Sequence, residues 1–121
     1  MKYLNKILEM NEIAPDMQKR AQELYLEAKK RVESLPLTFG EDAQLMLSNH
    51  LMALIKRILE GALIEPMEEE TMSDEISEKA WEYAAVIAGP LFEAAQMEKD
   101  RTELFLVGTH VEMALTAEVV S

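Results

Sequence analysis

Residues 47–58 read LSNHLMALIKRI and carry the clearest helical pattern of the chain. Apolar side chains recur there at steps of three and four residues, the spacing of one face of an α-helix. Thr38 and Glu41, three residues apart, match a capping box and predict the start of this helix. Gly61 predicts its end. The core face consists of Leu47, Leu51, Leu54, Ile55 and Ile58.

Two helices are predicted before this one. The first is short, and Pro15 interrupts it. The second carries one apolar stripe over residues 17–34 and is closed by Leu35-Pro36, because the residue before a proline disfavours helical geometry. The stripe of the first helix consists of Tyr3, Leu4, Ile7 and Leu8.

Two further helices are predicted after an exposed acidic connector at residues 65–70. Hydroxyls and acids at residues 71–74 offer an N-cap for the fourth helix, in which Gly89-Pro90 predicts a kink or a break. Asp100, with Glu103 three residues on, caps the fifth. This last helix is apolar on nearly all sides, so we expect it in the middle of the molecule.

The composition favours one all-α domain over residues 1–121. Of the 121 residues, 49% are apolar and 29% are charged, which is the balance of a globular protein. Ala, Leu, Glu, Met and Lys dominate, and these residues cost least in a helix. We therefore expect a compact five-helix bundle.

Several classes of protein are excluded or disfavoured. The chain has no Cys, which excludes disulfides, thiolate metal sites and cysteine nucleophiles. No signal peptide or membrane-spanning run is evident, so we expect a cytoplasmic protein without a membrane partner. The net charge is −11, and residues 61–121 carry three basic against fourteen acidic side chains. Such a surface repels phosphates, so we expect no direct binding to nucleic acid.

The two histidines, His50 and His110, are the residues that could carry chemistry. Structural, hydrogen-bonded histidines are one interpretation, and a zinc pair with abundant carboxylates is another. No zinc-binding spacing, nucleophile motif or phosphate-binding glycine loop occurs, and no carboxylate pair stands out. We therefore predict neither an enzyme nor a metal or other cofactor.

The nine Met residues and Trp81 each allow two interpretations. Methionines on helical stripes fill cores, but they also form adaptable protein-binding surfaces. The indole ring is either an interface anchor or a half-buried core residue.

Two segments together resemble the PRD, the PTS regulation domain of bacterial antiterminators and activators controlled by the sugar phosphotransferase system. Residues 47–57, LSNHLMALIKR, are similar to the family's Leu-x-Asp-His-Ile followed by an Arg seven residues after the His. Residues 103–111, ELFLVGTHV, are similar to its second motif, in which Glu opens a helix that reaches His-Ile or His-Val. The similarity spans most of the chain.

The resemblance implies a five-helix bundle that is commonly dimeric, so we expect a homodimer. It also implies that His50 and His110 are phosphate acceptors, with HPr or an enzyme IIB component as donor. Arg57 and Asn49 are the candidate partners of a phosphate or an acid. Asn49 stands where the family has Asp, which removes a charge beside the first histidine.

The resemblance covers one such domain without an attached effector, so we expect an indirect role in transcription through a protein partner. The alternatives are a structural or scaffolding helical dimer with inert histidines, and a small metal-dependent enzyme.

Overall fold

A computed structural model describes residues 4–72 and 75–120, and within these ranges all regular structure is α-helical. Six helices are present in the described ranges: α1 (Leu4–Met10), α2 (Gln18–Ser34), α3 (Glu41–Glu60), α4 (Glu69–Met72), α5 (Glu78–Ala94) and α6 (Arg101–Val120). The all-α prediction is confirmed. The predicted count of five helices omitted α4, a single turn within the connector. Tyr3 of the predicted first stripe lies outside the described residues.

Helix α3 occupies the central place in the packing. It contacts α1, α2, α5 and α6, whereas α6 packs mainly against α3 and α5. The predicted core face of α3 is buried throughout, with Leu54 and Ile55 fully withdrawn from solvent. The expectation that the last helix lies in the middle is wrong, because one side of α6 remains open and leaves Met113 58% exposed.

Helix α3 begins later than the predicted capping box. Gly40, not Thr38, is its N-cap. The first helical hydrogen bond runs from the Gln44 amide to the Gly40 carbonyl at 2.8 Å. Glycine is tolerated at an N-cap. The end is as predicted, because Gly61 adopts the left-handed conformation with φ of 69°.

The connector after α3 is partly anchored to the bundle. The Met67 amide donates to the Thr102 hydroxyl at 3.0 Å, and Met72 is buried. Helix α5 begins at Glu78, where the Ser77 hydroxyl accepts from the Ala80 amide, so the N-cap predicted within residues 71–74 is wrong. Ser73 and Asp74 lie outside the described residues.

Helix α5 continues through Gly89-Pro90 to Ala94, so the proline does not break it. Pro90 cannot donate to the Val86 carbonyl. Val86 is 45% exposed, so water can donate a hydrogen bond to its carbonyl on this side of the helix. One residue on, Arg31 of α2 donates through Nε to the Ile87 carbonyl at 3.0 Å, which ties α2 to α5.

Helix α6 begins as predicted. The Asp100 carboxylate accepts from the Glu103 amide at 2.9 Å. The Glu103 side chain does not complete a reciprocal capping box but turns to α3. Within the described ranges, no helix combines the length and the apolar character that crossing a bilayer requires.

Candidate functional site

Two pairs of side chains connect α3 and α6. His50 lies beside His110, with ring centroids 5.2 Å apart and 47° between the ring planes. Seven residues on along α3, Arg57 binds Glu103, which lies seven residues before His110 on α6. From the histidine pair to the ion pair, residue numbers therefore increase along α3 and decrease along α6. The two helices are antiparallel, and both pairs lie along their shared seam, which we call the polar seam.

Arg57 and Glu103 form a two-point ion pair. Arg57 donates through Nε and through a terminal nitrogen, each at 2.7 Å from a separate carboxylate oxygen. The Glu103 side chain is 0% exposed, and that of Arg57 is 22% exposed. A carboxylate this deep in the protein is tolerable only with a fixed cation. The Arg57 side chain therefore supplies the cation that Glu103 needs at the α3–α6 contact.

Sequence reasoning missed Glu103 as the partner of Arg57. Glu103 was singled out only as a capping residue and as the start of the second motif. The sequence did contain a signal, which is an equal spacing in the two segments. His50 precedes Arg57 by seven residues, and His110 follows Glu103 by seven residues. Two helical turns separate such residues on one face of each helix, and antiparallel packing then brings both pairs together.

Both histidines favour the neutral form. Burial lowers the pKa of His50 to about 4, with smaller contributions from His110 and the positive charge of Arg57. Burial also lowers the pKa of His110 below its ordinary value. Near neutral pH, each ring therefore has one nitrogen with a free lone pair and one N–H.

The Nε2 atom of His50 is buried without a hydrogen-bond partner among the described residues. A buried polar atom in this state costs free energy, because its hydrogen bond to water is lost and no hydrogen bond within the protein replaces it. Such atoms are uncommon in folded proteins and often mark a functional position.

Asn49 points to a different contact from its neighbour His50. Its Oδ1 accepts a hydrogen bond from Nδ2 of Asn11 at 2.8 Å, and the same Asn11 nitrogen donates to the Ile7 carbonyl at 2.9 Å. Asn49 thus fastens α1 to α3. Of the four predicted site residues, the polar seam contains His50, His110 and Arg57, whereas Asn49 serves the α1 contact.

Two exposed methionines lie one turn from the histidines, toward the end of the polar seam away from the ion pair. Met46 lies one turn before His50 on α3 and is 51% exposed, and Met113 lies one turn after His110 on α6 and is 58% exposed. Met52, in contrast, is fully buried. Both interpretations of the methionines therefore apply, each to different residues.

Trp81 is a partly buried packing residue. Its ring lies 5.9 Å from that of Phe105, and the Arg101 guanidinium stands 4.1 Å from its centroid. These contacts fix the start of α6 against α5.

The chemistry open to the polar seam is that of two neutral imidazoles beside a fixed cation. Among the described residues, no cluster of three His, Cys, Asp or Glu side chains could hold a metal ion. A neutral imidazole is a good nucleophile toward phosphorus.

Comparison of the chain with protein-family models, with curated proteins and with solved structures finds no significant match.

Proposed function

We propose that this protein is a regulatory module of the phosphoenolpyruvate-dependent sugar phosphotransferase system, with His50 and His110 as candidate phosphate acceptors. One observation carries the proposal. The two motif histidines, 60 residues apart in sequence, lie with their rings 5.2 Å apart on neighbouring helices. This supports a shared function of the two PRD-like motifs in one bundle.

The electrostatics of the polar seam support the same proposal. Both imidazoles have lowered pKa values, chiefly through burial, and are therefore available as nucleophiles at neutral pH. A phosphoryl group adds charge and three acceptor oxygens at a helix contact. Such a change shifts the packing of neighbouring helices without any new covalent framework.

The regulatory effect is exerted through protein contacts. The acidic second half of the chain disfavours an approach to nucleic acid. Met46 and Met113, exposed near the histidines at the end of the polar seam away from the ion pair, provide flexible apolar contacts for a donor such as HPr or enzyme IIB, for a transcription regulator, or for a second copy. We place the protein in the cytoplasm, where the phosphotransfer proteins act, and we expect a homodimer.

The test is intact-mass spectrometry after incubation with enzyme I, HPr and phosphoenolpyruvate, with and without the cognate enzyme IIB. Samples are kept alkaline so that phosphohistidine survives. The chain has two histidines in total, so His50→Gln/His110→Gln is a control without any imidazole. We expect a mass gain of phosphate in the wild type and none in the double variant. No gain with the full donor set would refute the proposal.

A second candidate function is a helical dimer with inert histidines. The bidentate pairing of Arg57 with Glu103 favours it, because that cation is already engaged. Light scattering coupled to gel filtration, with and without the phosphorylated donor proteins, distinguishes the two functions. An inert dimer keeps its mass and partner binding in the double His→Gln variant, whereas a phosphate-dependent module loses its response to the donor proteins.

A further inference from the structure

Resting on the proposed function, we infer that the histidine pair is a single-phosphate site: His110 accepts the phosphoryl group and His50 is its unmodified positioning residue. The chain therefore holds one phosphate, although it has two histidines.

The assignment of the acceptor follows from the state of the His50 ring. Its Nε2 atom is withdrawn from solvent and has no hydrogen-bond partner within residues 4–72 and 75–120. A donor protein cannot bring a phosphorus atom to this nitrogen while it is withdrawn from solvent. Both histidines are partly buried, His110 less deeply than His50, and the next turn of α6 after His110 carries the exposed Met113. An incoming donor therefore reaches the His110 ring from the open side of α6.

The unpaired Nε2 atom of His50 also explains what this residue does. The His50 ring lies 5.2 Å from the His110 ring between centroids. A phosphoryl group on His110 brings three strong acceptor oxygens into this neighbourhood. His50, in the tautomer that carries its proton on Nε2, then donates to one of them. The buried atom that lacks a partner in the unmodified protein gains one in the phosphorylated protein.

The limit of one phosphate follows from charge. Two phosphoryl groups on rings this close would place several negative charges side by side in a partly buried seam. Arg57, the cation of the seam, is already bound at two points to Glu103. The net charge of −11 adds to the repulsion. The first phosphate therefore excludes the second.

The transfer step balances without any further reactant. The lone pair of the unprotonated His110 ring nitrogen attacks phosphorus, and a nitrogen–phosphorus bond forms. The nitrogen–phosphorus bond of the donor phosphohistidine breaks, and its electron pair returns to the donor ring. The proton on the second nitrogen of His110 stays in place.

The experiment is quantitative intact-mass spectrometry with excess HPr, enzyme I and phosphoenolpyruvate, with and without the cognate enzyme IIB, followed by site mapping with tandem mass spectrometry under alkaline conditions. We expect the wild type to stop at one phosphate on His110, and we expect no label on His110→Gln. Two phosphates per chain, or one on His50, would overturn the inference while the proposed function stands. No phosphate at all would overturn both.

The role of His50 is tested by the lifetime of the label after the donor proteins are removed. His50→Gln keeps an N–H donor at similar reach, so we expect a lifetime near that of the wild type. His50→Leu fills similar space without a donor, and we expect the label to be lost about tenfold faster. Circular dichroism confirms that both variants are folded. Equal lifetimes in folded His50→Gln and His50→Leu would overturn the positioning role.

Discussion

The two sides of α6 that contact other helices differ in kind. Toward α5, Gly108 lies so close to its neighbours that an added Cβ would stand 2.5 Å from Cδ1 of Ile76 and 3.7 Å from the Ala80 carbonyl oxygen. Toward α3, the contact is the polar seam, made of an ion pair and two imidazoles. The first contact stabilises by close apolar packing. The second adds little net stability and contains the groups whose charge can change.

The largest expected effect is the loss of the ion pair in the polar seam. Arg57→Ala leaves the Glu103 carboxylate buried without a cation, so we expect the free energy of unfolding to fall by about 3–5 kcal/mol. Chemical denaturation at neutral pH measures it. The control is Arg20→Ala, which removes an exposed pair with Glu23, where the side chains are 50% and 52% exposed. That change should cost less than about 1 kcal/mol. An equal loss in the free energy of unfolding for both variants would show that the buried ion pair contributes no more than the exposed one.

The next effect is a pH dependence that belongs to His50. Its pKa is about 4 in the folded protein against an ordinary value of 6.5, so the unfolded chain binds the proton more tightly. Stability is therefore lost as the pH falls from about 6.5 toward 4, by up to about 3 kcal/mol. We expect His50→Gln to lack this component. Urea denaturation of both proteins at pH 7 and pH 4.5 measures the difference, and parallel pH profiles would contradict it.

A smaller effect is expected on the apolar side of α6. Gly108→Ala places a methyl group against Cδ1 of Ile76, and we expect a loss of about 1 kcal/mol from overpacking. In the background of Ile76→Val, which lacks that atom, the same substitution should be neutral or stabilising, because alanine is the better helix former. A double-mutant cycle by thermal denaturation measures this coupling. Additive effects would mean that the close approach at Gly108 does not limit packing.

The smallest effect concerns Asn49, beside the polar seam. In Asn49→Asp a carboxylate oxygen can still accept from Nδ2 of Asn11, so we expect the free energy of unfolding to change by less than about 0.5 kcal/mol. The added negative charge favours the protonated imidazole and should raise the pKa of His50. An NMR titration of the histidine ring protons measures this shift. An unchanged pKa would show that a charge at position 49 has no electrostatic effect on His50.

Local patterns account for the parts of the fold that depend on near neighbours in sequence. The apolar spacing of α3, its end at Gly61 and the cap at Asp100 were all predicted, because helix periodicity and capping involve residues only a few positions apart. The start of α3 and of α5 was not. In both, hydroxyls and acids near the helix start offered several candidate caps, and Gly40 and Ser77 are the positions at which the first helical turn closes.

The course of α5 through Pro90 depended on tertiary structure. Sequence alone allowed a kink or a break, since proline removes one hydrogen bond. The packing of α5 against α2, α3 and α6, together with the Arg31 hydrogen bond to the Ile87 carbonyl, favours a continuous helix. The propensity of one residue was outweighed by the packing of the whole helix.

By itself the amino-acid sequence determined that the protein is helical and which faces of its helices are apolar. It also singled out His50 and His110, because two histidines in helical segments are conspicuous in a chain of this composition, whereas Arg57 and Asn49 became candidates through the resemblance to the PRD motifs. Only the tertiary structure decided that α3 is the central helix, that Glu103 neutralises Arg57 and that the two imidazoles lie side by side. The reason is physical: periodicity describes one helix at a time, whereas ion pairs, burial and lowered pKa values arise between helices that are far apart in sequence.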